Sequence, residues 1–162
     1  MWETVGYIVV GFAAQMVDGT LGMAYKVSAT SLLLALGLPP AVASATVHAA
    51  GVFTTGLSGL SHHYFGNVDR RLFGRLVVSG VVGAALGAYV LSRLPGERFR
   101  PLVAGYLVLM GALIIVRVFK AVPTVKVTDH LLPLGFFGAF IDAVGGGGWG
   151  PVVAGTLTAR GN

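Results

Sequence analysis

Apolar residues along the chain gather into runs, and only some of these are long enough to cross a bilayer. A transmembrane helix needs about 20 apolar residues to span a hydrocarbon core of ~30 Å. Residues 41–60, 76–92 and 101–119 meet or approach that length and read as spans; Leu107 to Val116 is almost wholly apolar and is the most lipid-like stretch. Two earlier runs, Val5–Val17 and Val27–Leu38, fall short, with Asp18-Gly-Thr-Leu-Gly22 between them. Continuous helix from Val5 to Leu36 would reach ~48 Å, too long for an ordinary crossing. The pattern predicts a broken element, two half-helices joined at the glycine turn. It either crosses or folds back as a re-entrant hairpin, and the half-helix lengths favour the hairpin. Irregular backbone at membrane depth persists only where protein or a water-filled cavity surrounds it.

Polar positions inside the runs refine this. The 41–60 span carries Ser44, Thr46, His48, Thr54, Thr55 and Ser58. Ser44, His48, Thr55 and, less closely, Ser58 share one helical face, which is expected to look toward protein or water. In 76–92, small residues fall on two registers, Ser79-Gly83-Gly87 and Gly80-Ala84-Ala88, a spacing that lets helix backbones approach closely in a bilayer. Ser61–Arg75, Arg93–Arg100 and Lys120–His130 read as connections. Pro39-Pro40 reads as a sharp turn that opens the next helix. The basic residues spread evenly over the connections (Arg70, Arg71, Arg75; Arg93, Arg98, Arg100; Arg117, Lys120, Lys126), so the positive-inside rule selects no orientation.

The broken element occurs twice. Gly11–Leu38 aligns without gaps on Gly135–Asn162, matching Gly11 with Gly135, Phe12 with Phe136, Asp18 with Asp142, Gly22 with Gly146, Tyr25 with Trp149 and Leu33 with Leu157. Such internal similarity decides the architecture before any single residue does. The reading is an all-α polytopic membrane protein with an internal repeat, a broken or re-entrant helix opening each unit. Residues 1–128 form the first unit, a broken helix plus three spans; 129–162 form an incomplete second unit, the broken helix only. The chain is therefore expected to be a fragment or shortened form of a two-unit protein. A hairpin would make the units inverted; a crossing would make them parallel.

Composition agrees. The sequence is 55% hydrophobic and only 10% charged, with a mean hydropathy of +0.82, against about 25% charged residues in soluble domains. An integral membrane location follows, with the lipid bilayer as a partner, and the net charge of +5 is no sign of nucleic acid. Cysteine is absent, which excludes disulfides and thiolate metal sites. The opening Met-Trp-Glu-Thr lacks the positive region of a signal peptide.

Candidate chemistry centres on the two breaks. A carboxylate in hydrocarbon costs on the order of 3 kcal/mol, so Asp18 and Asp142 need a role. Either they are proton- or substrate-coupled carboxylates near the repeat interface, or each accepts hydrogen bonds from backbone N–H groups of the half-helix after the break; the two roles are compatible. Gly19 and Gly22, and Gly145, Gly146, Gly147 and Gly148 before Gly150-Pro151, are expected to open the backbone at corresponding places. Interrupted segments at matching positions of two repeats point to a transporter binding site. Exposed half-helix N–H groups suit an oxyanion; close packing through glycine is the alternative. Lys26 either charges that site or snorkels to the interface, the second being favoured. His48 is either a proton relay or anion donor, or a histidine hydrogen-bonded between helices. Thr55 lies on its face. His62 and His63 read as interfacial rather than metal-binding, and Asn67–Arg71 as a turn. No metal, cofactor or catalytic residue is called for. A Walker-type loop is excluded, and an intramembrane aspartyl protease would need Gly-x-Gly-Asp, whereas Asp142 follows Phe-Ile.

Several stretches, Val17-Asp-Gly-Thr-Leu-Gly-Met-Ala-Tyr25, Pro39-Pro-Ala-Val-Ala-Ser-Ala45, Phe53–His62, Gly66-Asn-Val-Asp69 and Ile141–Pro151, resemble the TauE/SafE family of sulfite-exporter-like permeases. The resemblance covers essentially the whole chain. It implies a duplicated secondary transporter, not an enzyme, that moves a small anion such as sulfite, a sulfonate or a related sulfur compound, in a bacterial-type plasma membrane crossed several times. A homo-oligomer or a missing C-terminal half would then complete the pathway; a non-transporting structural or assembly subunit is the competing reading.

Overall fold

The computed structural model describes residues 2–21, 23–119 and 130–159. Those residues form helices joined by short turns, with no strand among them: α1 (Trp2–Leu21), α2 (Tyr25–Ala35), α3 (Pro40–Tyr64), α4 (Arg70–Arg93), α5 (Gly96–Phe119), α6 (Leu131–Gly145), a π-helical segment (Trp149–Ala154) and α7 (Gly155–Ala159). Three of them are long and apolar enough to cross a membrane, over Thr4–Leu21, Arg70–Arg93 and Gly96–Phe119. α3 is as long but carries the polar face, and is not among them.

Helix ends follow local chemistry. α2 stops where Gly37 takes φ +93° and Leu38 N–H returns to Leu33 C=O, a left-handed cap followed by Pro39-Pro40. α3 ends the same way at Gly66 (φ +72°), with Asn67 N–H on His62 C=O. Asp69 then caps α4, accepting from Arg71 and Leu72 N–H at 2.8 and 3.0 Å. The expected connections 61–75 and 93–100 are therefore much shorter: α3 runs on to Tyr64 and α4 begins at Arg70, while only Leu94-Pro95 separates α4 from α5. Their charged and polar residues are helix-compatible, and it is the capping residues that mark the ends. The first arm is corrected too. α1 reaches Leu21, four residues beyond the end of its apolar run, and at 20 residues is of spanning length. Asp18 does not break the helix because its carboxylate reaches forward past the break.

Both broken elements fold back. A Cβ on Gly138 would collide with Val153, although 15 residues of continuous helix would part them by about 22 Å. Leu131 and Leu134 share a buried cluster with Val153 and Leu157. In the first copy the corresponding residues Val10, Ala14, Ala29 and Leu33 also share one cluster. Volume is traded between the copies: the first has Ala14 and Ala29 where the second has Gly138 and Val153.

Helix directions make the copies inverted. α2 and α3 are antiparallel across the Gly37–Pro39 turn, with Lys26 Cε 3.9 Å from where a Gly51 Cβ would stand. Two reversals thus leave α1 running like α3. Gly96, just past the end of α4, adjoins Pro39 and Pro40 at the start of α3, so α4 runs the opposite way. α6 lies parallel to α4, since Gly135 meets Ser79 while Gly87 meets Phe140 and Ala143. Hence α1 and α6 are opposed. The glycine stripe of α4 does what its spacing predicts: a Cβ at Gly83 would strike Phe136 C=O, and one at Gly87 would lie 2.6 Å from Phe140 O. The boundary between units at 128/129 lies outside the described residues.

Much of the outer surface is apolar. Ile8, Val9, Phe12, Val52, Phe53, Leu57, Val78, Val81, Leu102 and Val108 are exposed, a continuous load that water would not support and that lipid tails suit.

Candidate functional site

The two breaks meet in the middle of the bundle. In the second copy, Gly146 takes φ +73° and turns the chain. Asp142, one turn earlier, accepts from Gly148 N–H (2.6 Å) and Trp149 N–H (2.8 Å) through Oδ1. In the first copy, Asp18 Oδ1 accepts from Ala24 N–H (2.7 Å) and Tyr25 N–H (2.9 Å). These are the same bonds in repeat register. The capping role weighed for both aspartates is thus what the geometry shows: each carboxylate holds the first N–H groups of the returning arm. Gly-rich sequence with Pro151, which lacks a donor, leaves that returning arm in the second copy as a wide π-helical turn.

Beyond that shared core the copies diverge. Asp142 Oδ2 receives Lys26 Nζ at 2.5 Å and faces His48 Nε2 at 2.9 Å. Its side chain is 7% exposed, that of Lys26 25%. In repeat register the residue matching Lys26 is Gly150, and Asp18 has no ion pair among the described residues. Lys26 therefore turns inward. The snorkelling reading is corrected, because a buried carboxylate within reach is a better partner for the ammonium than the distant interface.

Further bonds lock the second break to α2 and α3. Thr30 Oγ1 donates to Gly146 C=O at 2.7 Å, and Ser44 Oγ to Ala143 C=O at 2.7 Å. The four glycines 145–148 are buried, and each permits a close approach. A Cβ on Gly146 would meet Thr30, one on Gly147 would meet Val27 backbone at 2.9 Å, and one on Gly148 would lie 2.6 Å from Tyr106 Oη. Gly145 backs on the Tyr106 ring. Their packing role is direct, and only Gly147 lines the cavity.

That cavity has a volume of about 650 Å³ and lies between α1, α2, α3, α4 and the second break. Asp18, Lys26, His48, Thr55 and Asp142 all reach it, together with Trp149. Thr55 donates its hydroxyl to Gly51 C=O at 2.5 Å, so it offers lone pairs rather than a proton. Gly19 departs from expectation: it sits within α1, exposed, with open space where a Cβ would be, because the chain breaks later than the glycine suggested. Gly22 lies outside the described residues.

Tyr106, Thr30 and Arg117 were not legible as site residues. The Tyr106 hydroxyl is buried without a partner, and the signal for it was a lone polar tip in an otherwise apolar span. Arg117 Nη1 donates to Pro151 C=O at 2.7 Å, holding the π-helical arm from the end of α5.

The family model described as Sulfite exporter TauE/SafE matches residues 7–161. A probable membrane transporter protein of Bacillus subtilis (strain 168), YtnM, is 45% identical over 168 aligned residues. The alignment covers 99% of this chain and 56% of that protein, so the chain spans little more than half the length of this relative. No solved structure matches. Inverted, paired breaks around a cavity are thus carried by a sequence that the family description fits almost end to end, and the chain belongs to the TauE/SafE sulfite-exporter family.

Proposed function

We propose that the chain is the substrate-binding part of a secondary transporter for a small sulfur oxyanion, such as sulfite or a sulfonate, lying multi-pass in a plasma membrane. The observation that supports this is the cavity where the two breaks meet, into which Lys26 presents a positive charge. Discontinuous helices at a repeat interface are where transporters of this build hold substrate. The first turn of α2 adds the partial positive charge of a helix start, and His48 lies beside it with both ring nitrogens held, by Ser44 C=O and Asp142. Asp18 and Asp142 set a limit on that charge, which favours an anion of low charge over a multivalent one. The cavity is open along the outer half of α3, where Thr54, Thr55 and Ser58 are exposed. In a functional transporter that side is closed by more protein, a second half of the kind the longer relative has room for.

Counterflow of labelled sulfite into proteoliposomes tests the reading, with Lys26→Met as the comparison. Exchange that Lys26→Met abolishes is expected. Exchange of equal rate in both, or no binding of labelled sulfite by a protein shown to be folded and inserted, removes the anion reading and leaves a structural or assembly role.

A further inference from the structure

The hydrogen bonds of His48 contain more acceptors than a neutral ring can serve. Its Nδ1 lies 2.8 Å from Ser44 C=O, which only accepts, so Nδ1 carries a hydrogen. Its Nε2 would then be a bare lone pair 2.9 Å from Asp142 Oδ2. Two lone pairs do not rest at that distance. A proton therefore lies on the Nε2–Oδ2 line, held by the imidazole or by the carboxyl group. The same Oδ2 also receives Lys26 Nζ, while Oδ1 is fully engaged by Gly148 and Trp149 N–H. Oδ2 is the one atom at which a proton and the ammonium compete.

We infer that this site binds one proton together with each substrate anion, and that Asp142 is its coupling residue. The inference rests on the anion-transport reading above. Without substrate, the Asp142 carboxylate occupies Lys26 as a resident anion. When the proton settles on Oδ2, the neutral carboxyl group donates to His48 Nε2, Nδ1–H stays on Ser44 C=O, and Lys26 is released to an incoming oxyanion. With the proton on the Nε2–Oδ2 line, Lys26, His48 and Asp142 together carry +1, and an incoming monoanion brings the summed charge with the ligand to zero. A site in a bilayer favours that balance, because uncompensated charge there is costly.

The surroundings are consistent with a single coupling group. Lys26 faces Asp142 from α2, His48 from α3 and the unpaired Tyr106 hydroxyl from α5. α4 presents the glycines 80, 83 and 87 to α6 without a titratable group. Asp18 stands across the cavity and cannot act in the same way, since Gly150 occupies the position that corresponds to Lys26.

Calorimetric titration of the purified chain in nanodiscs with methanesulfonate tests this, because the ligand does not itself titrate near neutrality. The expected result is affinity that weakens by about tenfold per pH unit on the alkaline side, where the empty site has lost its proton, with about one proton taken up per anion there and none where the site already holds it, when buffers of different ionisation enthalpy are compared. Asp142→Asn keeps the Oδ1 acceptor for both N–H groups and imitates the protonated acid. It should bind at every pH with no proton uptake, whereas His48→Gln should keep the pH slope. Binding by the parent chain that is independent of pH overturns the coupling but leaves the anion site standing. A slope retained in Asp142→Asn, or lost only in His48→Gln, moves the proton elsewhere and also overturns it. Absence of binding at any pH sinks the coupling and the transport reading together.

Discussion

Because the two breaks use one bonding pattern in different electrostatic settings, the same substitution in each separates capping from ion pairing. Asp18→Ala removes the acceptor of Ala24 and Tyr25 N–H. Lost caps of this kind cost about 0.5–2 kcal/mol, and with Asp18 only half-buried about 1–2 kcal/mol is expected. Asp142→Ala removes the equivalent acceptor of Gly148 and Trp149, a comparable loss. It also leaves Lys26 without its counter-charge. Removing one partner of a buried pair costs about 3–5 kcal/mol. Lys26 keeps a quarter of its exposure toward the cavity, so water takes up part of this, and ~2 kcal/mol is the expected surplus. The assay is equilibrium unfolding in mixed micelles, read by helix content, for both single variants, Lys26→Met, and the Asp142→Ala/Lys26→Met double. The double should recover most of the surplus, a coupling of about 2 kcal/mol between neighbours that a mutant cycle isolates. Equal losses at Asp18 and Asp142, with no coupling to Lys26, would refute the ion pair as a structural element of the second break.

Further outcomes follow from the packing. Gly83→Val places a branched side chain against Phe136 C=O and should lower stability by about 1–3 kcal/mol or more, seen as a reduced thermal midpoint and reduced cross-linking between α4 and α6. Tyr106→Phe removes a buried hydroxyl that has no partner; stability should be unchanged or rise by about 1 kcal/mol in thermal unfolding, and a marked loss would show that the hydroxyl is bonded in the membrane. Gly19→Ala, in open space on α1, should be neutral or gain up to ~1 kcal/mol of helix propensity, whereas Gly148→Ala crowds Asp142 backbone at 2.9 Å and should impair folding and anion binding together.

A great deal was readable from one sequence, for identifiable reasons. The apolar runs and the scarcity of charge follow from the need to match a slab of hydrocarbon, which acts on composition and period alone, and the recurrence of Asp18 as Asp142 is read from the repeat itself. The small-residue stripe of α4 is legible on the same grounds, since close approach in lipid has a fixed helical spacing. Helix ends were less so: Ser61, His62, His63, Arg70 and Arg98 resemble loop residues but lie in helices, because Gly66 and Asp69, not polarity, stop and start the chain. What only the tertiary structure decided is which groups meet. Lys26 and Asp142 are far apart in sequence and become partners because two hairpins of opposite direction bring their breaks into contact. Gly145 to Gly148 allow that contact by having no side chains. A single chain's periodicity can announce two half-helices and a carboxylate in each, but a charge finds its partner through the fold. It is the fold, not the repeat, that makes the two aspartates unequal.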